Sequence, residues 1–485
     1  MKTTAVLRYC GISLVVVALL MLVSAGVAFH EKSESALLPL LYSGVITGIV
    51  GLFPFIFVPR QKDIGTREGF FIVTFSWILA CLFGAIPYLM YGGEFTPINA
   101  FFESVSGFTT TGASILTDIE ALPNGLLFWR IASAWIGGIG IVALVSMMIP
   151  TKSDLQSVLA SAESSDLARG YYGGRKKGFV AMMLTIYIGI TTISALSLKC
   201  CGMRWFDAVT HAMSACSTCG FSTHNESIAA FDSPAVELVL VIAMLLGGTN
   251  FTLLSSTFLP RQGGRKLFRS EIFLTFLTGV IAASVVITAD LLMSGWSRSL
   301  PQAFRHALFQ IASISTTTGF ATVDTDTWPA LSITVICLCS VICGCTGSTS
   351  GGIKVDRALL AVKGMREKVR SIGHPAHVEC IRIDGGIRKM KEMEDACIFI
   401  LFYLSLAAAG GFINAFGGMD LRSGLSAAIA CMGNVGPGFG SVGSMGNYAS
   451  LPDALKVSSM VLMLLGRLEI YPFILVFGGM VRRRS

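Results

Sequence analysis

Apolar runs of about 20 residues recur along the whole chain, and this length is enough for an α-helix to cross a lipid bilayer. Only 13% of the 485 residues are charged, whereas soluble domains carry about 25%. We therefore expect an all-α integral membrane protein, and the composition excludes a soluble enzyme. The runs lie near residues 11–29, 37–59, 70–91, 126–149, 178–198, 235–258, 272–293, 330–346, 395–415 and 455–479.

The first apolar run follows two basic residues, Lys2 and Arg8, and admits two interpretations. It is either the apolar core of a cleaved signal peptide or a retained membrane helix. Signal peptides have apolar cores of about 7–15 residues, and this run is longer. We therefore predict that the first run stays in the protein and pairs with the second run as a two-helix hairpin.

Basic residues cluster in the short segments between the runs, and they indicate the orientation of the chain in the membrane. In multi-pass proteins such clusters lie on the cytoplasmic side. This bias explains the net charge of +7, and nucleic-acid binding is the weaker interpretation because no soluble domain carries the basic residues. The clusters occupy residues 60–67, 169–177, 261–269, 354–391 and 482–484.

A short segment is repeated four times in the sequence. Aligned on one glycine each, the four stretches are FTTTGAS, CSTCGFS, STTTGFA and MGNVGPG, and small residues recur six and twelve positions before each glycine. Agreement at several offsets favours a true internal repeat over four unrelated amphipathic connectors. The aligned glycines, which are 108, 99 and 117 residues apart, are Gly112, Gly220, Gly319 and Gly436.

Each aligned glycine follows a segment of about 12–15 residues, which is too short to span a bilayer and lies between two full-length apolar runs. The repeated unit is thus a helix, a half-helix, a glycine loop and a second helix. Irregular backbone at membrane depth is tolerated where it is buried in protein or lines a water-filled path. We therefore predict four units in a pseudo-fourfold arrangement around a central pore.

Four such loops offer rings of main-chain carbonyl oxygens, which replace the hydration shell of K⁺ in potassium-selective filters. The half-helices point their C-terminal ends, which carry partial negative charge, at the cation. A different interpretation applies to the second loop, where Cys216 and Cys219 have the spacing of a zinc or redox site and His211 and His224 are near. A zinc site needs several converging ligands, and the other three loops supply none, so we favour the ion pore.

With these loops identified, the chain resembles the Trk/Ktr/HKT superfamily of potassium transporters, and within it the bacterial Trk-type (TrkH-like) uptake subunits. The resemblance covers nearly the whole chain and rests on FFESVSGFTTTGAS, GFSTHN, ISTTTGFAT, GNVGPGFG, CGCTGSTSGGIKV and GRLEIY. It implies that the two residues before each filter glycine hold K⁺ and that Gly112 favours K⁺ over Na⁺. In the second loop, Cys219 stands where the family has a smaller residue. The implied K⁺-binding residues are Thr110, Thr111, Thr218, Cys219, Thr317, Thr318, Asn434 and Val435.

The stretch GCTGSTSGG, residues 344–352, lies late in an apolar run and is rich in helix-breaking glycine. We predict a broken helix with a loop across the pore, and the alternative is a small-residue face for helix packing. The resemblance implies a gate below the filter and a pore-facing Arg467, for which the alternative is an ion pair with Glu469. Asn250 either pairs with this loop or makes an ordinary interhelical hydrogen bond. The implied gate residues are Gly344, Thr346, Gly347, Ser348, Thr349, Gly351, Gly352 and Arg467.

Cofactor and partner expectations follow from the same residues. No glycine-rich nucleotide motif opens a βαβ unit, so we expect no organic cofactor on this chain, and K⁺ is the transported ion. The resemblance implies a homodimer in the bacterial inner membrane and a cytoplasmic ring of TrkA-like nucleotide-binding regulatory subunits. The basic segment 354–391 is either the docking surface for that partner or part of the positive-inside bias. Glu103 and Asp207 are interpreted as packing or cation-attracting groups, and His306 as a packing residue.

The predicted function is K⁺ uptake through a carbonyl-lined filter, with no enzyme activity. One alternative is a secondary transporter of a small solute coupled to a monovalent cation, which would need polar substrate groups at the midplane. Another is a membrane enzyme that uses Cys216 and Cys219. The sequence leaves open whether uptake is channel-like or coupled to H⁺ or Na⁺. The predicted domains are an N-terminal hairpin (1–68), pore repeat 1 (69–151), pore repeat 2 with a cytoplasmic linker (152–270), pore repeat 3 with the gating loop (271–360), a basic linker (361–392) and pore repeat 4 (393–485).

Overall fold

The computed structural model describes residues 3–59, 65–140, 179–258, 267–374 and 379–477. The described part is mostly helical, as predicted, and its helices follow the order of the apolar runs. Some sequence predictions lie outside the described residues. These are the basic clusters at 169–177 and 482–484, most residues of the basic clusters at 60–67 and 261–269, and the domain boundary at 151–152.

The described part begins with two long helices, α1 (Thr3–His30) and α2 (Glu34–Phe57), joined by a short turn. Their backbones approach closely at two glycines, since a β-carbon on Gly51 would lie only 2.8 Å from the carbonyl oxygen of Gly11 and would not fit there. Large apolar side chains of α2, Phe53 among them, remain exposed, as expected for a surface that faces lipid. The predicted N-terminal hairpin is therefore confirmed.

Four helical units follow, and each contains a half-helix between an outer and an inner helix. The first unit consists of α3 (Thr66–Gly84), α4 (Ile86–Tyr91), the half-helix α5 (Pro97–Phe108) and α6 (Asn124–Ile139). The second consists of α7 (Phe179–Cys200), the half-helix α8 (Trp205–Ser217), α9 (Pro234–Gly247) and α10 (Phe251–Phe258). The third consists of α11 (Glu271–Met293), the half-helix α12 (Leu300–Ser315), α13 (Ala330–Val341) and, after a loop, α14 (Val355–Gly373). The fourth consists of α15 (Met390–Phe416), the half-helix α16 (Leu421–Gly433), α17 (Asp453–Arg467) and α18 (Tyr471–Phe477).

Capping residues set where the half-helices begin. The Thr96 side chain accepts a hydrogen bond from the Asn99 N–H, and Pro97 occupies the first turn of α5, where its missing N–H costs nothing. The Asp420 carboxylate likewise accepts from the Ser423 N–H at 3.0 Å at the start of α16. The first and fourth half-helices thus start at a side-chain cap, whereas the second and third, which begin after Arg204 and Ser299, have no side-chain cap hydrogen bond.

Three of the inner helices differ from the sequence prediction, which gave each a full-length apolar run; the end of the first inner run, 126–149, lies outside the described residues. Among the described residues, six helices are long and apolar enough to cross a membrane, and these are the two hairpin helices and the four outer helices. The predicted run 235–258 is bent by 106° between α9 and α10. The run 330–346 ends as helix at Val341, and the run 455–479 is interrupted after Arg467. The first of these breaks lies at residues 248–250, between the two helices, and left-handed backbone at Glu469 and Ile470 accompanies the last.

Two small strand pairs flank α14. Before it, β1 (Ile342–Cys343) pairs in parallel with β2 (Ile353–Lys354), so the two ends of the intervening loop lie side by side. After it, β3 (Ile381–Ile383) and β4 (Gly386–Arg388) form an antiparallel hairpin. Both residues of its two-residue turn have positive φ, which is typical of a type I′ turn.

Candidate functional site

The four half-helices end in the same backbone motif. In each one, the N–H of the residue directly before the aligned glycine donates to the carbonyl of the residue five positions earlier. The N–H of the residue two positions before the glycine donates to the carbonyl of the residue three positions earlier. This pair of bonds defines a Schellman helix end, and the small residues six positions before each glycine supply its longer-range acceptor. The longer bonds run from Thr111 to Ser106 (2.9 Å), from Cys219 to Ser214 (3.0 Å), from Thr318 to Ser313 (2.7 Å) and from Val435 to Ala430 (2.8 Å).

Two positions in each loop adopt left-handed backbone conformations. One is the aligned glycine, with φ between +78° at Gly112 and +93° at Gly436. The other lies two residues earlier, where φ is +56° at Thr110, and the equivalent residues of the other loops match it closely. This conformation is unusual for a β-branched residue and costs about 1–3 kcal/mol. It is the conformation that the residue at this point of a Schellman helix end adopts, and threonine occupies it in three of the four loops.

The four loops meet around a common point. A β-carbon added to any aligned glycine would collide with the carbonyl oxygen of the residue before the next aligned glycine. Gly112 meets Cys219, Gly220 meets Thr318, Gly319 meets Val435, and Gly436 meets Thr111. The series returns from the fourth loop to the first, so the contacts form a closed ring. All four glycines also line one cavity of about 80 Å³.

Side chains at the two positions before each glycine have different surroundings. Directly before the glycine, the Thr111 and Thr318 hydroxyls bond to threonine hydroxyls of their own loops at 2.8 and 2.7 Å. Their counterparts Cys219 and Val435 are apolar, so the main-chain carbonyls are the oxygens these four residues share. One position earlier, the Thr110 hydroxyl is buried without a hydrogen-bond partner in the described part of the chain. A polar group placed this way is available to a bound ion.

The loop 344–352 lies directly against the ends of the half-helices. The Thr349 hydroxyl lies 3.1 Å from the carbonyl oxygen of Cys216 and 3.0 Å from that of Gly247. The Gly351 N–H donates to the Thr317 hydroxyl at 2.9 Å. A β-carbon on Gly351 would collide with the carbonyl oxygen of Gly433 in the fourth half-helix. The loop therefore contacts three of the four units from one side of the glycine ring.

The other end of the same loop is held by the bend between α9 and α10. The Asn250 amide donates to the Thr346 carbonyl at 2.6 Å, so of the two predicted roles for Asn250 the pairing with this loop is present. The Phe251 N–H donates to the carbonyl of Gly347 at 3.1 Å, and Gly347 itself has a positive φ. Ser348 bonds within the loop, and Gly344 and Gly352 lie at its two ends, beside the β1–β2 pair. The loop is thus the broken segment that the sequence predicted.

Comparison with known proteins decides the family. The family model described as TrkH, cation transport protein, matches residues 45–482. The chain belongs to the TrkH family. It is 33% identical to the Trk system potassium uptake protein TrkH of Halomonas elongata over 98% of both chains, and 33% identical to that of Escherichia coli over 86% of this chain and 87% of the relative. The crystal structure of the potassium transporter TrkH from Vibrio parahaemolyticus superposes with a TM-score of 0.89 over 100% of both chains at 30% identity.

In this TrkH-family chain Arg467 lies at the break between α17 and α18. Its guanidinium donates to the Thr349 carbonyl at 2.6 Å, and to the carbonyls of Gly137 and Gly138 at 2.5 and 3.0 Å. Glu469, the alternative partner considered from the sequence, forms an ion pair with Arg357 at 2.6 Å. Arg467 therefore connects the loop 344–352 to the inner helix of the first unit.

Three glycines of the inner helices were missed by the sequence analysis. A β-carbon on Gly137 would collide with the carbonyl of Phe108, and one on Gly466 with the carbonyl of Met432. Each of these carbonyls lies four residues before an aligned glycine, and Gly247 has the same relation to the second half-helix. The signal was present in the sequence as a glycine late in the inner run. No such glycine occurs in the inner helix of the third unit, so the fourfold alignment of the repeats did not reveal this position.

The soft ligands of the second loop do not converge. Cys216 points its thiol at the carbonyl of Tyr187, and Cys219 packs in an apolar cluster with Ile131 and Phe221. His211 bonds to the Ser222 hydroxyl at 3.0 Å. Among the residues that the structure describes, no group of three or more His, Cys, Asp or Glu side chains is arranged to hold a metal ion.

The acidic and histidine residues of the half-helices have local partners. Glu103 is fully buried and forms an ion pair with Arg130. Asp207 accepts a hydrogen bond from the Thr223 hydroxyl at 2.8 Å. His306 lies 3.2 Å from the Thr322 hydroxyl and packs against Trp296. The contacts of Glu103 and His306 are those of packing residues.

Proposed function

We propose that this chain takes up potassium ions across the bacterial inner membrane through the centre of the glycine ring. Its curated relatives are named potassium uptake proteins, and the observation that carries the proposal is the closed series of glycine–carbonyl contacts between the four loops. Carbonyl oxygens brought together in this way suit a dehydrated monovalent cation. The C-terminal ends of four half-helices add partial negative charge at the same point.

The filter residues of the proposal are the two that precede each aligned glycine. The carbonyls of Thr111, Cys219, Thr318 and Val435 form the ring against which the glycines pack. The level below them is supplied by Thr110, Thr218, Thr317 and Asn434. The buried, unpartnered Thr110 hydroxyl supports a side-chain oxygen at this level. Gly112 favours K⁺ because any side chain there would displace the Cys219 carbonyl.

The loop 344–352 is the gate of the proposed pore. Its bonds to Thr218, at 3.2 Å from Thr349, and to Thr317 occupy the same hydroxyls that the filter level uses. An ion passing below the filter would therefore need this loop to move. Arg467 holds the loop from the other side and places a positive charge beside the path. Conduction requires release of both sets of contacts.

The gate is proposed to respond to a cytoplasmic, nucleotide-binding partner of the TrkA type. The helix α14 begins one residue after β2, so a force applied to α14 acts directly on the loop. This helix and the following hairpin carry the basic surface within 354–391, which suits docking of a partner with acidic groups. We further propose a homodimer as the transporting unit.

The proposal is tested by ion flux into proteoliposomes that contain the purified full chain. Radioactive rubidium is the tracer, and influx is measured with and without the partner and its nucleotide. We expect influx that is blocked by excess K⁺ and raised by the partner. Absence of rubidium influx under every condition would overturn the proposal. Influx that stops when H⁺ and Na⁺ gradients are removed would instead favour the coupled transporter.

A further inference from the structure

Each boundary between neighbouring units is bridged by a cationic side chain other than Arg357 and Arg467. These bridges are distinct from the gate and were not predicted from the sequence. Arg305 of the third unit pairs with Glu237 of the second at 3.1 Å, and Arg422 of the fourth pairs with Asp326 of the third at 2.8 Å. Lys456 of the fourth unit donates to the Asn99 side chain of the first at 2.8 Å. The remaining boundary, between the first and second units, is bridged by Arg130.

Arg130 differs from the other bridging cations because it contacts the filter loops themselves. Its side chain is 1% exposed, whereas that of Arg422 is 52% exposed. The guanidinium stacks on the ring of Phe221, with 3.8 Å between its central carbon and the ring centroid. It also donates to the Ser222 carbonyl at 3.2 Å. Phe221 and Ser222 are the first two residues after the glycine of the second loop.

The partner of Arg130 makes the corresponding contacts to the first loop. Glu103 is fully buried and pairs with Arg130 through the Nε atom. Its carboxylate also accepts hydrogen bonds from the Ser114 hydroxyl and the Ile115 N–H, both at 3.1 Å. Ser114 and Ile115 follow the glycine of the first loop. One ion pair thus holds the segments that leave two neighbouring filter loops.

We propose that the Arg130–Glu103 pair fixes the spacing of the first and second filter loops and thereby sets the ion discrimination of the pore. This inference rests on the proposed function. Both residues act as positioning residues, since the ion itself meets the carbonyls and not this pair. A buried pair carries no net charge, so it fixes geometry without repelling a cation at the mouth of the pore. The Arg305 bridge, by contrast, joins two helices, and the Arg422 bridge reaches the fourth loop only at Phe439 and Gly440, three and four residues after its glycine.

The arrangement is specific to arginine. Three separate parts of the guanidinium are used, namely Nε for the carboxylate, a terminal nitrogen for the carbonyl and the planar face for the ring. Lysine keeps the charge but offers a compact ammonium that cannot make the three contacts at once. Arg130→Lys therefore separates geometry from charge. It leaves Glu103 paired with a cation, which protects folding.

The test compares the K⁺/Na⁺ permeability ratio of the wild-type protein, Arg130→Lys and the matched control Arg305→Lys, with the melting temperature of each measured in detergent. We expect Arg130→Lys to melt close to the wild type and to lower the ratio by about fivefold, which corresponds to the free energy of about one hydrogen bond. We expect Arg305→Lys, which keeps a cation beside Glu237, to keep the wild-type ratio. An Arg130→Lys protein with a ratio within about twofold of the wild type overturns the inference.

Phe221→Leu provides the second variant if Arg130→Lys is not recovered folded. It removes the stacked ring and keeps the ion pair, and we expect the same direction of change in the ratio. An unchanged ratio in folded Phe221→Leu protein overturns the inference. Wild-type flux with unchanged ratios in the variants counts against this inference alone. Absence of wild-type flux overturns the proposed function and this inference together.

Discussion

Replacing Thr349 by valine should open the gate. Thr349 lies at the centre of the loop 344–352, and its hydroxyl lies within hydrogen-bond distance of the carbonyls of Cys216 and Gly247 and of the Thr218 hydroxyl. Valine has nearly the same shape but cannot make these bonds. The substitution therefore removes contacts of the closed loop without adding a steric clash.

The size of the effect follows from the number of bonds lost. A hydroxyl has one hydrogen to donate, so the two carbonyls share that of Thr349, and the hydrogen of Thr218 is shared between Thr349 at 3.2 Å and the Ser217 carbonyl at 2.7 Å. The substitution therefore removes about one neutral hydrogen bond, which contributes about 1 kcal/mol to the closed state relative to an open state in which water replaces it. This free energy corresponds to about a fivefold rise in the ratio of open to closed protein. Rubidium influx in the absence of the partner should rise by that factor while the open fraction is small.

The assay is partner-free rubidium influx into proteoliposomes with matched protein content. Ser348→Ala is the matched control, because among the described residues the Ser348 hydroxyl bonds inside the loop, to the Cys345 carbonyl at 2.6 Å and the Ser350 hydroxyl at 2.7 Å. We expect little change for the control. Influx of folded Thr349→Val protein that stays within twofold of the wild type, or an equal rise in the control, would refute the assigned gate.

Three further predictions concern the filter and the packing behind it. Gly112→Ser should lower the K⁺/Na⁺ permeability ratio, because its β-carbon displaces the Cys219 carbonyl; an unchanged ratio in bilayer recordings would contradict the first loop assignment. Cys219→Ala should keep rubidium influx within about twofold, because the thiol packs among apolar side chains; loss of influx with retained folding would favour the thiol chemistry considered above. Gly466→Ala should lower the melting temperature by several degrees, because its β-carbon collides with the Met432 carbonyl, whereas Gly189→Ala, which meets nothing within 4 Å, should not; equal melting temperatures would contradict the packing.

The glycine loops could be found from the sequence because each unit carries the same local signals. A short segment between two apolar runs, small residues at fixed offsets and one glycine were enough to predict the half-helices, since these features act within about fifteen residues. The Schellman ends confirm why the offset of six recurs, because that residue's carbonyl is the acceptor. The role of each loop as an ion ligand stays a prediction.

The break after Gly344 was predicted from the sequence, whereas the breaks in the inner helices of the second and fourth units and the bridges between units were not. Hydropathy is the same on both sides of Gly248 and of Glu469, so an apolar run gives no sign that its backbone turns there. The Arg130–Glu103 pair lies within the first unit, but the contacts of Arg130 with Phe221 and Ser222 depend on how the first and second units pack. Glu469, the partner considered for Arg467, instead pairs with Arg357, which lies more than one hundred residues earlier in the chain. Contacts of this kind follow from tertiary structure and have no local pattern.

The central claim is that four main-chain oxygens surround one monovalent cation, and anomalous diffraction from crystals grown in rubidium tests it most directly. Rubidium replaces K⁺ and scatters anomalously, so its position is read without assumptions about water. The account predicts a peak on the axis of the ring, in contact with the carbonyls of Thr111, Cys219, Thr318 and Val435. A map that shows no peak there, with rubidium bound at another place in the membrane-spanning part, would contradict it.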